Sequence, residues 1–180
     1  MKIGIILASI REGRNGEAVA KWTFDFAQKR QDGNTYEIVD LKDYDLPLLG
    51  TSPSNDQAKF IQAWSEKIAS FDGYIFVTPE YNRSIPGAFK NALDYLQPEL
   101  HNKPVGFVAY GGLGGLAAIQ AYRTSLAEQE VATVRTMVTF SLMTDFENMS
   151  DFKPQTYHDH NMNQMMDQVT RWAKALKTIR

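Results

Sequence analysis

With 180 residues, 43% of them hydrophobic, and no long polar or low-complexity tract, the chain has the length and apolar content for one compact domain over residues 1–180. Its formal charge of -2 and 19 scattered Lys and Arg residues provide no basic run that could neutralise consecutive phosphates, which excludes nucleic acid as the expected partner. The absence of cysteine excludes disulfides, thiolate catalysis and Cys-ligated zinc or iron–sulfur centres, so any redox chemistry requires a bound cofactor.

Ile3 to Ala8 is a short, nearly continuous apolar run, the pattern of a central parallel strand covered on both faces. The run is shorter than a signal-peptide core and is followed by Arg11 and Glu12, so a cytoplasmic protein with no membrane segment is expected. Glu17 to Lys29 carries Ala18, Val19, Trp22, Phe26 and Ala27 at helical spacing; Asp32-Gly33-Asn34 then breaks the chain before a second strand, Tyr36 to Leu41. Pro47 to Asn55 reads as an irregular connection, Gln57 to Phe71 as a second helix and Gly73 to Thr78 as a third strand. A short helix from Ala88 to Leu96, a strand from Val105 to Tyr110, a helix from Leu116 to Gln129 and a strand from Thr133 to Phe140 follow. Met162 to Ile179 closes the chain as an amphipathic helix.

Strands and helices therefore alternate, which predicts an α/β three-layer sandwich with a five-stranded parallel sheet in the flavodoxin-like order 2-1-3-4-5. Such sheets bind ligands at the carboxyl ends of their strands, beside strand 1. That order sets the loops after strands 1, 3 and 4 side by side, and these three have unusual compositions.

Ser9-Ile10-Arg11-Glu12-Gly13-Arg14-Asn15-Gly16 joins a buried strand directly to a helix. Amide groups at the helix N-terminus, with Ser9, Arg11, Arg14 and Asn15, suit a phosphate cradle; an exposed turn with solvated arginines is the competing reading. It is not a Walker A loop, since Gly-Lys-Ser/Thr is absent. The second loop, Thr78 to Gly87, is held extended by Pro79 and Pro86, so that its backbone and Tyr81 could address a planar heterocycle; a rigid connector is the alternative. The third, Tyr110-Gly111-Gly112-Leu113-Gly114-Gly115, permits close backbone approach to a ligand. Reading Gly112, Gly114 and Ala117 as a dinucleotide fingerprint fails, because the following strand does not end in an acidic residue at the required distance.

Ala8 to Gly16 resembles the G-S-x-R-x-G-S-x-N phosphate loop of the NADPH-dependent FMN reductases. Thr78-Pro79-Glu80-Tyr81-Asn82, with Pro86-Gly87-x-x-Lys90-Asn91-x-x-Asp94, resembles that family's second signature, and the likeness spans roughly residues 2–140. The resemblance implies non-covalent FMN, NAD(P)H as electron donor, assembly as a homodimer or homotetramer, and reduction of small acceptors such as quinones, flavins or azo compounds. Carried over by position, Ser9, Arg11, Arg14, Asn15 and Gly16 hold the FMN phosphate. Pro79, Glu80, Tyr81 and Asn82 border the isoalloxazine, Gly111, Gly112 and Gly114 approach its other side, and Ser84 is a nearby polar contact. Ala8, Arg14 and Gly16 depart from the family pattern, which has Gly, Ser and Asn at those places. A flavodoxin-like electron carrier and an FMN-binding module without turnover stand as alternatives, and no acid–base residue is assigned.

His158-Asp159-His160 lacks the spacing of a metal site and reads as a loop before the last helix. Trp22, Trp64 and Trp172 fall on apolar helical stripes, as core or subunit-contact residues. The irregular apolar segment Phe140 to Phe152 is left open between a subunit contact and a lining for the acceptor pocket.

Overall fold

The computed structural model describes residues 1–180. Five parallel strands, β1 (Lys2–Leu7), β2 (Thr35–Asp40), β3 (Gly73–Pro79), β4 (Pro104–Gly111) and β5 (Ala132–Ser141), form one sheet in the order β2-β1-β3-β4-β5. The three inner strands are buried almost throughout, as continuous apolar runs covered on both faces must be. The edge strands β2 and β5 mix buried and open positions.

Helices α2 (Asn55–Ala69), α3 (Gly87–Asp94) and α4 (Leu116–Ala127) cover one face, where Trp64, Phe89 and Tyr122 pack against Phe76 and Phe107. Helices α1 (Gly16–Lys29) and α5 (His158–Leu176) cover the other, where Val19, Met165 and Val169 meet Ile5, Val77 and Val108. No helix is long and apolar enough to cross a membrane.

Several boundaries differ from the sequence reading, each for a local reason. The second strand ends at Asp40, whose carboxylate accepts from the Lys42 amide at 2.9 Å and starts a short 3₁₀ turn, Leu41–Asp43. Helix α2 begins at Asn55 because Ser54 and Gln57 form a reciprocal capping box. The last helix begins at His158, four residues ahead of Met162: His158 is buried and its Nε2 lies 2.8 Å from Asp145 Oδ1. Trp64 is fully buried, whereas Trp172 is 40% exposed on the outer side of α5.

The segment left open in sequence folds as a small antiparallel hairpin, β6 (Phe146–Glu147) and β7 (Asp151–Phe152). Phe146 and Phe152 turn inward and stack with Trp22, Phe140 and Tyr110. The tip carries Asn148 and Met149 with φ of 52° and 57°, a left-handed pair that closes a tight turn. Asp145 anchors the base by accepting from the Ser141 amide at 2.9 Å, besides its contact with His158.

Candidate functional site

At the carboxyl ends of β1, β3 and β4 a cavity of about 380 Å³ opens, within the range of small-molecule and cofactor sites. Its wall takes Arg11, Gly13, Arg14 and Asn15 from the first loop, Pro79, Glu80 and Tyr81 from the second, and Tyr110, Gly111 and Gly112 from the third. Leu142, Met149 and Ser150 close the rim. Ser9, Gly16, Asn82, Ser84 and Gly114 are not part of this wall.

The first loop is built around Arg14. Its guanidinium donates from Nε and Nη2 to Glu17 Oε1 at 3.0 and 2.9 Å, from Nη1 to Asp40 Oδ1 at 2.9 Å and to the Ser9 carbonyl, and from Nη2 to Asp40 Oδ2. Burial works against this charge, but the hydrogen bonds to Asp40 and Glu17 outweigh it and raise the pKa. A guanidinium has five N–H groups, and all five are engaged within the chain. Arg14 therefore shapes the loop, and its free donors, assumed in the sequence reading, are spent. Arg11 is exposed and makes no ion pair, so it is the cation this loop offers to a ligand.

Helix α1 starts directly after the loop with no side-chain cap on its first amides, since Asn15 has a helical rather than a capping backbone (φ -69°, ψ -15°); its Nδ2 donates to the Met149 carbonyl at 2.8 Å. Those amides are the electropositive end of the helix. Ser9 is buried beneath them, its hydroxyl 3.0 Å from the Tyr81 hydroxyl. Gly16 is required by close approach: a Cβ there would stand 2.6 Å from Leu7 Cδ1 and 2.7 Å from the Tyr110 hydroxyl.

In the second loop the Tyr81 amide donates to the Ser84 carbonyl at 3.2 Å and the Ser84 amide to the Tyr81 carbonyl at 3.0 Å. Asn82 and Arg83, with φ of 49° and 65°, form the tip of this tight turn. Ser84 consequently faces a separate groove between α3 and α4. Glu80, although part of the wall, spends its carboxylate within the chain: its Oε2 accepts from the Ala117 and Ala118 amides at 2.9 and 3.4 Å, capping α4 from a neighbouring loop. The glycine loop needs that help, because its last member, Gly115, sits at φ 80° and has no side chain to cap the helix it begins.

Tyr110 and Ser150 were not among the expected site residues, whereas Leu142 and Met149, from the segment left open between a subunit contact and a pocket lining, are part of the cavity rim. A tyrosine closing an apolar strand was the one local signal for Tyr110, and the irregular apolar character of the segment was the signal for Leu142 and Met149; Ser150 had none.

A parallel sheet in this order, with three ligand-facing loops gathered at its switch point, defines the flavodoxin-like class. The model of the NADPH-dependent FMN reductase family matches residues 1–145, and the chain belongs to that family. An NAD(P)H-dependent FMN reductase from a Nectria species is 36% identical over 156 residues, covering 80% of this chain and 78% of the relative. A quinone reductase from Pseudomonas putida is 32% identical over 131 residues, covering 69% and 68% respectively. Among solved structures, the flavoenzyme NAD(P)H:(acceptor) oxidoreductase from Paracoccus denitrificans superposes with a TM-score of 0.69 at 18% identity, covering 94% of this chain and 97% of that one. A flavodoxin from Streptococcus pneumoniae TIGR4 gives 0.60 at 13%, covering 95% and 99%. The chain is thus an FMN-dependent oxidoreductase supplied by a reduced nicotinamide.

The cavity fits FMN by two features of its own. Arg11 and the uncapped N-terminus of α1 come to the cavity from the first loop, the donors a phosphate requires. Pro79, Tyr81 and the side-chain-free Gly111 and Gly112 come from the second and third loops, the kind of surface a flat ring requires.

Proposed function

We propose that this chain draws electrons from NADH or NADPH through FMN seated in the cavity and delivers them to small planar acceptors, quinones and azo compounds foremost. The observation that carries this is the cavity itself, with a cationic, amide-rich end and a glycine-floored slot rimmed by Leu142 and Met149. Relatives bearing the names quinone reductase and NADPH azoreductase, 32% and 34% identical, support that acceptor class.

In this reading Arg11 and the first amides of α1, with Asn15 at the helix start, bind the phosphate. Ser9 and Arg14 hold the loop in shape, and Gly16 lets the helix approach the sheet. Pro79 and Tyr81 border the ring, opposite Gly111 and Gly112. Glu80, Asn82, Ser84 and Gly114 act on the ring site through the conformation of their loops. When bound, FMN supplies the two-electron chemistry, and the chain's part is to orient the ring and to present one face of it to each substrate in turn.

We also place the working form as a homodimer or homotetramer in the cytoplasm, where reduced nicotinamides are available. An apolar groove beside the phosphate loop, lined by Ile10, Leu41, Tyr44, Leu46 and Leu48, supports self-association, with Leu48 71% and Ile10 46% exposed in the single chain.

The test is anaerobic mixing of FMN-loaded protein with NADH or NADPH, followed by steady-state kinetics with a quinone and an azo dye. Bleaching of flavin absorbance and parallel double-reciprocal plots are expected, since one open face must serve donor and acceptor in succession. Flavin that neither nicotinamide reduces would overturn the reading, and intersecting plots would overturn the shared face. A monomeric mass by light scattering at micromolar concentration would remove the oligomer.

A further inference from the structure

Between β5 and α5 the chain ties two of the ligand loops together. The Leu142 amide donates to the Gly111 carbonyl at 3.0 Å, and further on the Met149 carbonyl accepts from Asn15 Nδ2 at 2.8 Å. The segment thus runs from the glycine loop to the phosphate loop, and Leu142, Met149 and Ser150 all belong to the cavity wall. Its hairpin is rooted in the core by Phe146 and Phe152, with ring centroids 4.9 Å apart, and by the buried Asp145, which holds the Ser141 amide and His158. The hairpin lies beyond residue 145, where the match to the FMN reductase family ends.

The tip is an unusual choice of residues. The Ser150 amide donates to the Glu147 carbonyl at 3.1 Å across Asn148 and Met149, whose φ of 52° and 57° are the left-handed pair found in a type I′ turn. Asn-Gly is the preferred pair for such a turn, because a side chain at the second place strains the backbone. Here methionine takes the glycine position, and at 60% exposure it contributes little to the core. A strained, open side chain on a cavity wall points to a partner that arrives in the cavity. An unbranched thioether adapts well to a flat or irregular surface.

We infer that residues 142–150 form a strap that retains the cofactor, with the Met149 side chain packing on bound FMN. The inference rests on the FMN reading above and adds a binding residue from outside the three ligand loops. Because the strap is bonded to the loops after β1 and β4 and its base is buried, its tip is in place before binding, and the contact costs little ordering.

The test uses the full chain, flavin-free and FMN-loaded. Hydrogen exchange read by mass spectrometry is expected to show FMN slowing exchange in peptides covering both 9–16 and 146–152. FMN release after dilution, followed by flavin fluorescence, is then compared for wild type and Met149→Gly, which keeps the carbonyl bonded to Asn15 and suits the turn. Release is expected to be about 5-fold faster or more, the scale of losing part of a side chain's apolar contact. The flavin-free variant is expected to unfold no more than about 4 °C below wild type, since the removed side chain serves the ligand and not the core. Protection at 9–16 without protection at 146–152, a smaller acceleration of release, or a larger fall in the unfolding temperature would each overturn the strap. Failure of the cofactor reading shows separately, in the wild type alone: if FMN protects neither 9–16 nor 146–152, the cavity is not its site and the strap falls with it.

Discussion

Arg14 and Asp40 lock the phosphate loop to the end of the neighbouring strand: Arg14 Nη1 donates to Asp40 Oδ1 at 2.9 Å while Nη2 donates to the other carboxylate oxygen. The pair forms because β1 and β2 run in parallel register with Leu7 opposite Asp40, so the loop leaving β1 passes over the last side chain of β2. The Arg14 side chain is only 4% exposed, and a two-pronged ion pair of this kind fixes orientation as well as charge. A loop held this way keeps its amides and Arg11 poised for an anion before the anion is bound.

If Arg14 acts by holding the loop, Arg14→Ala and Asp40→Ala should each weaken FMN binding by about 1–2 kcal/mol. The double variant should be scarcely worse than either single one, giving a coupling energy of about 1 kcal/mol or more. FMN titrations of the four proteins check this. Tighter binding in Asp40→Ala would mean that the released guanidinium goes to the phosphate, and Arg14 would then be a ligand after all.

Glu80 makes a second tie, between the loop after β3 and the start of α4. Its carboxylate satisfies two helix amides that Gly115 cannot cap. Glu80→Ala should lower the stability of the flavin-free protein by about 1–2 kcal/mol, the usual range for loss of a cap. Glu80→Gln, which keeps one acceptor oxygen but loses the charge at a helix N-terminus, should cost about half as much. Urea unfolding of the three proteins reads both effects; wild-type stability in Glu80→Ala would show that the amides find water instead.

Far from the cavity, Lys103 lies buried at the amino end of β4, donating from Nζ to the Ala69 carbonyl at 2.9 Å and to the Tyr74 hydroxyl at 3.2 Å. Burial, reinforced by Arg180, pushes its pKa down to about 8, with Asp72 and Glu99 opposing. The unfolded chain then holds this proton more tightly than the folded one between about 8 and the ordinary 10.5. The penalty is complete below the folded value and is relieved as pH rises through the window. Wild type should therefore gain about 2 kcal/mol of stability relative to Lys103→Met between about pH 7 and about pH 10. A pH-independent difference in denaturant midpoints would show that the ammonium is as well solvated in the fold as outside it.

Much of this architecture is legible without coordinates. Short continuous apolar runs at Ile3–Leu7, Gly73–Val77 and Val105–Tyr110 are what strands buried on both faces look like, and their alternation with helical segments points to a parallel sheet. Glycines and prolines after strands 1, 3 and 4 mark the ligand edge, because turns of special geometry need those residues locally. The hairpin at 146–152 gave no such signal: two-residue strands have no readable period, and Phe146 and Phe152 are apolar for the sake of Trp22 and Phe140, distant in sequence.

The sequence by itself determined which loops meet at the site, since strand order follows from the alternation of elements and places those loops together. Which side chains in the loops remain free for a ligand was decided only by tertiary structure. Arg11 and Arg14 sit three positions apart in one loop and are chemically identical, yet one is open and the other is bound by Asp40, which lies across the sheet edge. Glu80 was spent on a helix that begins 36 residues further on, at Leu116. Local patterning selects each backbone segment within a short window, whereas the partner of a long polar side chain depends on which segments the packed core brings alongside it.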